Sequence, residues 1–279
     1  MGQGEAPMTL LVRQQQAAGP LVSVTPADAG WQYIHFAAHL LAAGERLEAE
    51  TAGLETALVI LGGRATVTGG GCSFGSVGDR RDVWERRPPY VVILPPNSAY
   101  VVAAETDLHL VVAGAPADGG LPPRLIRPEE MVAEERGAGQ TRRYIHHLLP
   151  PSAPAARLLL TEVYTPAGNW SSFPPHKHDS EEPPAESWLE ETYYYQIQPP
   201  AGFAVQRVYT DDRSLDQTMA PGNGDLVLVP RGYHPVAATP GHECYYLNVM
   251  AGPARAWNFR VDPAYAHLMN WQKPDVTKG

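Results

Sequence analysis

The stretch YVVILPPNSAYVVAA, residues 90–104, constrains the fold of this chain more than any other. Two apolar runs rich in β-branched residues flank Pro95 and Pro96. Proline cannot donate to a ladder or continue a helix, so the pattern predicts two short strands joined by a turn. The same grammar recurs. ALVILGGRATVTG at 57–69 reads as strand, glycine turn and strand, and WQYIHFAAHLL and LHLVVAGAP carry similar signals. Beyond residue 150, RLLLTEVYTP, TYYYQIQ, GFAVQRVYT, GDLVLVP and CYYLNVMAGP are all strand candidates. With 26 glycines and 28 prolines in 279 residues and no collagen-like period, an all-β chain of many tight turns is expected. One segment reads otherwise. RPEEMVAEERG, 127–137, predicts a short helix, with Pro128 at its first position, Glu129 and Glu130 in the first turn and Gly137 past its end.

The strand pattern falls into two halves of the same kind. Residues 1–125 are expected to form one small antiparallel β-barrel or sandwich, 126–150 a connector, and 151–279 a second barrel. Net charge is −9 and no basic patch emerges, which argues against nucleic acid and anionic membrane as partners. Two cysteines, Cys72 and Cys244, make no disulfide framework and fit a reducing compartment. MGQGEAPMTL lacks a basic region followed by a long apolar core, and no apolar run reaches the roughly 18 residues of a membrane helix. A cytoplasmic protein is expected, and a homo-oligomer is compatible with this reading.

Chemistry concentrates in the second half. In PPHKHD, His176 and His178 are one residue apart and share one face if the segment is a strand. An isolated H-x-H is more often a pair of loop histidines, but here it is followed by Glu191 at the start of ETYYYQIQ. In a strand, Glu191, Tyr193 and Tyr195 share one face, and Thr192, Tyr194 and Gln196 the other. Glu190 is the alternative carboxylate, one residue out of phase. Downstream, GDLVLVPRGYH runs from a strand into a Pro/Gly turn that returns His234 towards the first two histidines. Three imidazoles and a carboxylate suit one divalent ion, with zinc, manganese and iron all able to fill an N₃O site.

These elements resemble the two motifs of the cupin superfamily, although twelve residues separate His178 from Glu191 where three or four are usual, and His234 comes one residue early after Gly232. A closer resemblance covers most of the chain. LAAGE at 41–45, PPRLIRPEEMVAEERGAG, GNWSSFPPHKHD at 168–179, GFAVQRVYTDDRSLDQTMAPGNGDLVLVPRGYHPV at 202–236 and YYLNVMAGPARAW at 245–257 are similar to the 5-deoxy-glucuronate isomerase family of inositol catabolism. That resemblance implies a bicupin, related to the uronate isomerase of pectin breakdown. It also implies an aldose–ketose isomerase that turns 5-deoxy-glucuronate into 5-dehydro-2-deoxy-gluconate.

Such a reaction abstracts an acidic C–H proton and stabilises an enediolate, which needs a base within about 3 Å of the substrate. Glu190, Tyr193 and a metal-bound hydroxide are candidates for proton transfer. Arg207 is a candidate for the substrate carboxylate, although a strand arginine is more often solvated. Lys177, pointing away from its histidine neighbours, reads as a surface residue. His35, His39, His109, His146 and His147 lack a metal-binding pattern. Residues 180–190 are expected to form a loop near the pocket mouth. A metal-dependent cupin oxygenase or decarboxylase and a non-catalytic sugar-binding bicupin are the competing readings.

Overall fold

The structure, a computed structural model, describes residues 9–15 and 19–272; most of the MGQGEAPMTL stretch and residues 273–279 lie outside the described residues. Each half pairs a large antiparallel sheet with a four-stranded one. In the first, the large sheet has the order Arg124–Ile126, Tyr90–Leu94, Leu54–Gly62, Leu108–Pro116, His35–Leu41, Val22–Val24. In the second, seven strands run in the order Leu11–Val12, Leu226–Val229, Glu190–Gln198, Glu243–Ala251, Leu159–Thr165, Arg143–Leu149, Val132–Arg136. The first-half strands Leu54–Gly62, Leu108–Pro116 and His35–Leu41 thus have counterparts in Glu190–Gln198, Glu243–Ala251 and Leu159–Thr165. The fold is all-β and built of two similar halves.

The two large sheets pack back to back, which explains why their central strands read as unbroken apolar runs instead of alternating ones. Along Leu54–Gly62, Leu58 and Ile60 pack with Val67 and Val102 of the first half's small sheet. Ala57, Val59 and Leu61 face the other way, into a cluster shared with Tyr164, Tyr194 and Leu247 of the second half. Burying each such aliphatic side chain contributes about 1.5–3 kcal/mol before entropy is counted.

Polar contacts across this contact are reciprocal. Glu190 accepts hydrogen bonds from three successive backbone N–H groups, Gln32, Tyr33 and Ile34, at 2.6, 2.8 and 3.1 Å. Glu55, near the start of the counterpart strand, accepts from Ala156, Arg157 and Leu158 at 2.6, 2.8 and 2.9 Å. Each half therefore uses one buried carboxylate to hold the segment leading into the other half's sheet. A buried Arg80–Glu162 pair, with N···O distances of 3.0 and 2.9 Å, adds a third tie. His146 Nδ1 and the Tyr245 hydroxyl complete the shell of Glu162 at 2.7 and 3.0 Å. His147 pairs with Glu134, and His109 with the Tyr194 hydroxyl.

Two expectations change. The 127–137 segment is no helix beyond a single 3-10 turn, Pro128–Glu130; Val132–Arg136 is a strand. It pairs with Arg143–Leu149, and both belong to the second half's large sheet, so 126–150 is not a mere connector. Tertiary pairing overrides the local helix signal here, because the strands complete a sheet whose other face is buried. At the opposite end, Leu11–Val12 pairs with Val227 and Leu226, so the first described strand belongs to the second half's sheet and precedes the first half. No helix among the described residues is long and apolar enough to cross a membrane.

Candidate active site

The site lies on the inner side of the second half and is assembled from three elements. The two-residue strand His176–Lys177 pairs with Arg260–Val261, which fixes the H-x-H segment against the last strand of the described residues. Residues 180–189 then lead back to Glu190–Gln198, with the Leu189 N–H donating to the His178 carbonyl at 2.9 Å. Buried Glu186 organises that loop by accepting from the Asp179 and Ser180 N–H groups at 2.8 and 3.1 Å. The third element is the turn after Leu226–Val229. Gly232 adopts a φ of +92°, and a Cβ there would meet the Tyr209 carbonyl oxygen at 2.5 Å, so only glycine makes this turn unstrained. Tyr233 exchanges backbone hydrogen bonds with Tyr209 at 2.8 and 2.9 Å, and His234 follows into the interior.

His176, His178 and His234 offer ligand atoms that all lie within 4.8 Å of one another. Glu191 Oε2 sits 3.0 Å from His178 Nε2 and 3.2 Å from His234 Nε2. Nδ1 of His178 donates to the Leu189 carbonyl at 3.0 Å, and Nδ1 of His234 to the Gly232 carbonyl at 2.8 Å. The Pro174 backbone is hydrogen-bonded to His176. Ring nitrogens tied to backbone carbonyls in this way leave the opposite nitrogens free to coordinate. Although His234 Nε2 is 3.2 Å from the carboxylate, it is a buried atom with no hydrogen-bond partner among the described residues.

Electrostatics point the same way. Burial, with the neighbouring His234 and His178 rings, holds His176 well below its ordinary pKa. Burial also disfavours charge on His178, but the Glu191 hydrogen bond and charge outweigh it and raise that ring. Burial would raise the Glu191 carboxyl, yet His234 and His178 hold it down to about 2. Three imidazoles this close cannot all carry protons beside one carboxylate. A divalent cation satisfies all four groups at once, and the donor set of three nitrogens and one oxygen fits it.

Alternation along Glu190–Gln198 puts Glu191 and Tyr193 on the triad side. Tyr194 faces the first half, against Phe36 at a ring distance of 5.5 Å. Tyr193 lines the same cavity as His176 and Glu191. Its hydroxyl is 2.9 Å from Ser172 Oγ, which is 3.4 Å from the Tyr246 hydroxyl. Burial, with the Glu191 charge, keeps the Tyr193 phenol protonated well above its ordinary range.

Two residues expected at the site stand elsewhere. Glu190 faces the other side of its strand, and its two oxygens are taken by the three backbone N–H groups named above. Burial pushes its carboxyl up, as for an acid–base group, but those donors hold it as a clamp. Arg207 is 43% exposed and bound bidentately by Asp216 at 2.7 and 2.6 Å. It belongs to the outer face of the small sheet, the solvated role usual for strand arginines. Lys177, expected at the surface, is partly buried between Asp179 and Asp211, at 2.9 Å from each. None of residues 180–190 lines the cavity of His176, Glu191 and Tyr193; Trp188 and Glu190, with Asp179, line a cavity of ≈ 1030 Å³ that holds no triad member. Its size carries no weight against the converging donors.

Sequence reasoning missed Arg136, Arg143, Asn248 and Trp257, which wall the same cavity as His176, Glu191 and Tyr193. The strand pattern of RYIHHLL after the Gly137 turn was the available signal for Arg143, and the helix reading of 127–137 masked Arg136.

A model of the KduI/IolB family matches residues 10–268. The chain is 55% identical to the 5-deoxy-glucuronate isomerase of Geobacillus thermodenitrificans (strain NG80-2), over 90% of this chain and 92% of that one. It is 44% identical to the 5-deoxy-glucuronate isomerase of Bacillus subtilis (strain 168), over 88% and 91%. Among solved structures, an IolB-like protein from Salmonella typhimurium LT2 superposes with a TM-score of 0.91 at 46% identity, covering 93% of this chain and 99% of that one. The oxalate decarboxylase of Lactobacillus farciminis superposes with a TM-score of 0.66 over 92% and 89% of the chains, at 12% identity. At that identity the likeness speaks to the cupin-type fold alone.

Proposed function

The chain belongs to the KduI/IolB family, and on that premise we propose that it is an aldose–ketose isomerase converting 5-deoxy-glucuronate to 5-dehydro-2-deoxy-gluconate. One observation carries the reading from the chain's own atoms: three imidazoles and Glu191 converge beside a cavity lined by tyrosine hydroxyls and arginines. His176, His178, Glu191 and His234 would hold one divalent ion per chain, whether zinc, manganese or iron. Lewis-acid polarisation of the substrate carbonyl is the chemistry such an ion supplies when bound.

Isomerisation moves one proton from C2 to C1 and another from O2 to O1. Tyr193 holds a proton at Oη and donates it towards the substrate oxygen on which negative charge develops. Ser172 Oγ, 2.9 Å from Tyr193 Oη, orients that hydroxyl and links it to Tyr246, so a proton can pass along the three oxygens. The buried walls exclude bulk water from the enediolate. Replacing Tyr193 by phenylalanine is expected to lower kcat about 100-fold, the lower range for removing a general acid, while bound metal stays at the wild-type level. Steady-state kinetics beside elemental analysis check both halves of that statement.

The reaction needs no redox cofactor and no dioxygen. Incubating metal-loaded protein with 5-deoxy-glucuronate under anaerobic conditions and following the mixture by NMR is expected to show the keto product. Absence of product under those conditions overturns the isomerase reading.

A further inference from the structure

Arg143 is a buried cation in direct ion-pair contact with no carboxylate among the described residues. It is 4% exposed, and its guanidinium donates to the Thr141 carbonyl at 3.0 Å. The comparably buried Arg80 shows what such a group ordinarily requires, namely a bidentate carboxylate in Glu162. Arg136 stands directly opposite Arg143 in the hairpin register, which adds like-charge repulsion. Arg136 is itself taken by Glu134 at 2.8 and 2.7 Å. Burial lowers the pKa of Arg143 to about 10, so the group stays charged at neutral pH. Tyr246 and Glu134 favour the charge only from a distance, and a buried charge without a direct partner opposes folding; such groups concentrate at functional sites.

The surroundings keep a place for a partner. Gly137 lies against this guanidinium, and a Cβ there would come within 2.8 Å of Arg143 Nη1. Arg143 lines the cavity that also holds His176, Glu191 and Tyr193. Trp257 lines it too, and its Nε1 is a buried donor with no hydrogen-bond partner among the described residues. A guanidinium offers parallel N–H groups matched to the two oxygens of a carboxylate.

We infer that Arg143 binds the terminal carboxylate of the substrate and makes this cavity selective for sugar acids over neutral sugars. The identity of the anion rests on the isomerase reading above. The carboxylate supplies the missing counter-charge, so binding relieves a penalty that a neutral sugar leaves in place.

The test compares metal-loaded wild type with Arg143→Met and Arg143→Lys in the full chain. One arm measures kcat/KM on 5-deoxy-glucuronate and on 5-deoxy-xylo-hexose, the same aldose with CH₂OH in place of the carboxylate. The other measures, by calorimetry, the affinity for 5-deoxy-glucarate, which keeps the carboxylate and has no aldehyde to isomerise. Arg143→Met is expected to keep its metal, to lose about 100-fold of the preference for the uronate and to bind the diacid about 100-fold more weakly. Arg143→Lys recovers part of both, because it restores charge without the fork. Unchanged preference and diacid affinity at full metal content overturn the assignment, as does an equal loss on both aldoses. A wild type inactive on both aldoses overturns the isomerase reading instead, and the diacid arm still decides the role of Arg143. Should Arg143→Met fail to fold, Arg143→Lys carries the same readouts, and wild-type diacid affinity in that variant overturns the assignment.

Discussion

His234→Ala protein is expected to lose at least 99% of its isomerase activity and to retain less than about a tenth of the divalent metal that the wild-type chain binds. His234 is fully buried, its Nδ1 is committed to the Gly232 carbonyl, and its Nε2 faces Glu191 and the other two imidazoles. Removing it leaves two imidazoles and one carboxylate, a set that loses both affinity and closed geometry. Disturbing even the groups behind a ligand typically costs 10–100-fold in metal affinity or activity, so deleting a ligand should cost more. His176→Ala is expected to behave alike. Elemental analysis of folded protein gives the stoichiometry, with one ion per chain expected for the wild type. Two ions per chain, or a content unchanged in both alanine variants, would exclude this site. Chelation should abolish turnover and added divalent metal restore it.

Glu190→Ala should have its largest effect on stability and leave metal content intact. The carboxylate is 1% exposed and accepts from three backbone N–H groups 156–158 residues away. Alanine leaves those donors unsatisfied in a buried contact, at about 1–3 kcal/mol each. A loss on the order of 4 kcal/mol is reasonable once some donors find water, which corresponds to a fall in Tm on the order of 10 °C. Glu55→Ala, which removes the reciprocal clamp, should produce a fall of similar size. Thermal melts of metal-loaded protein measure both. A Glu190→Ala chain that melts like the wild type but has lost more than 100-fold in kcat at unchanged KM would return Glu190 to the role of base.

The contrast between Glu190 and Glu191 marks the boundary between local and tertiary information. Neighbouring side chains on a strand point to opposite faces for purely local reasons, so the sequence sufficed to separate Glu191 and Tyr193 from Thr192 and Tyr194. Glycine and proline punctuation likewise decided that the chain is all-β and falls into two similar halves, because both act on the backbone where they stand. The H-x-H pair and the PRGYH turn named the three histidines before any packing was known. What each carboxylate and guanidinium does was left to the tertiary structure. Glu190 is a clamp because the backbone of residues 32–34 arrives against it, and Arg207 is a surface ion pair because Asp216 meets it across the small sheet. Residues 132–136 became a strand because an open sheet edge beside Arg143–Leu149 accepted them, against their own helix signal. The same pairing carried Arg136 and Arg143 into the cavity. Charged groups take their roles from partners distant in sequence, since desolvation and counter-charge exist only once the chain has closed around them.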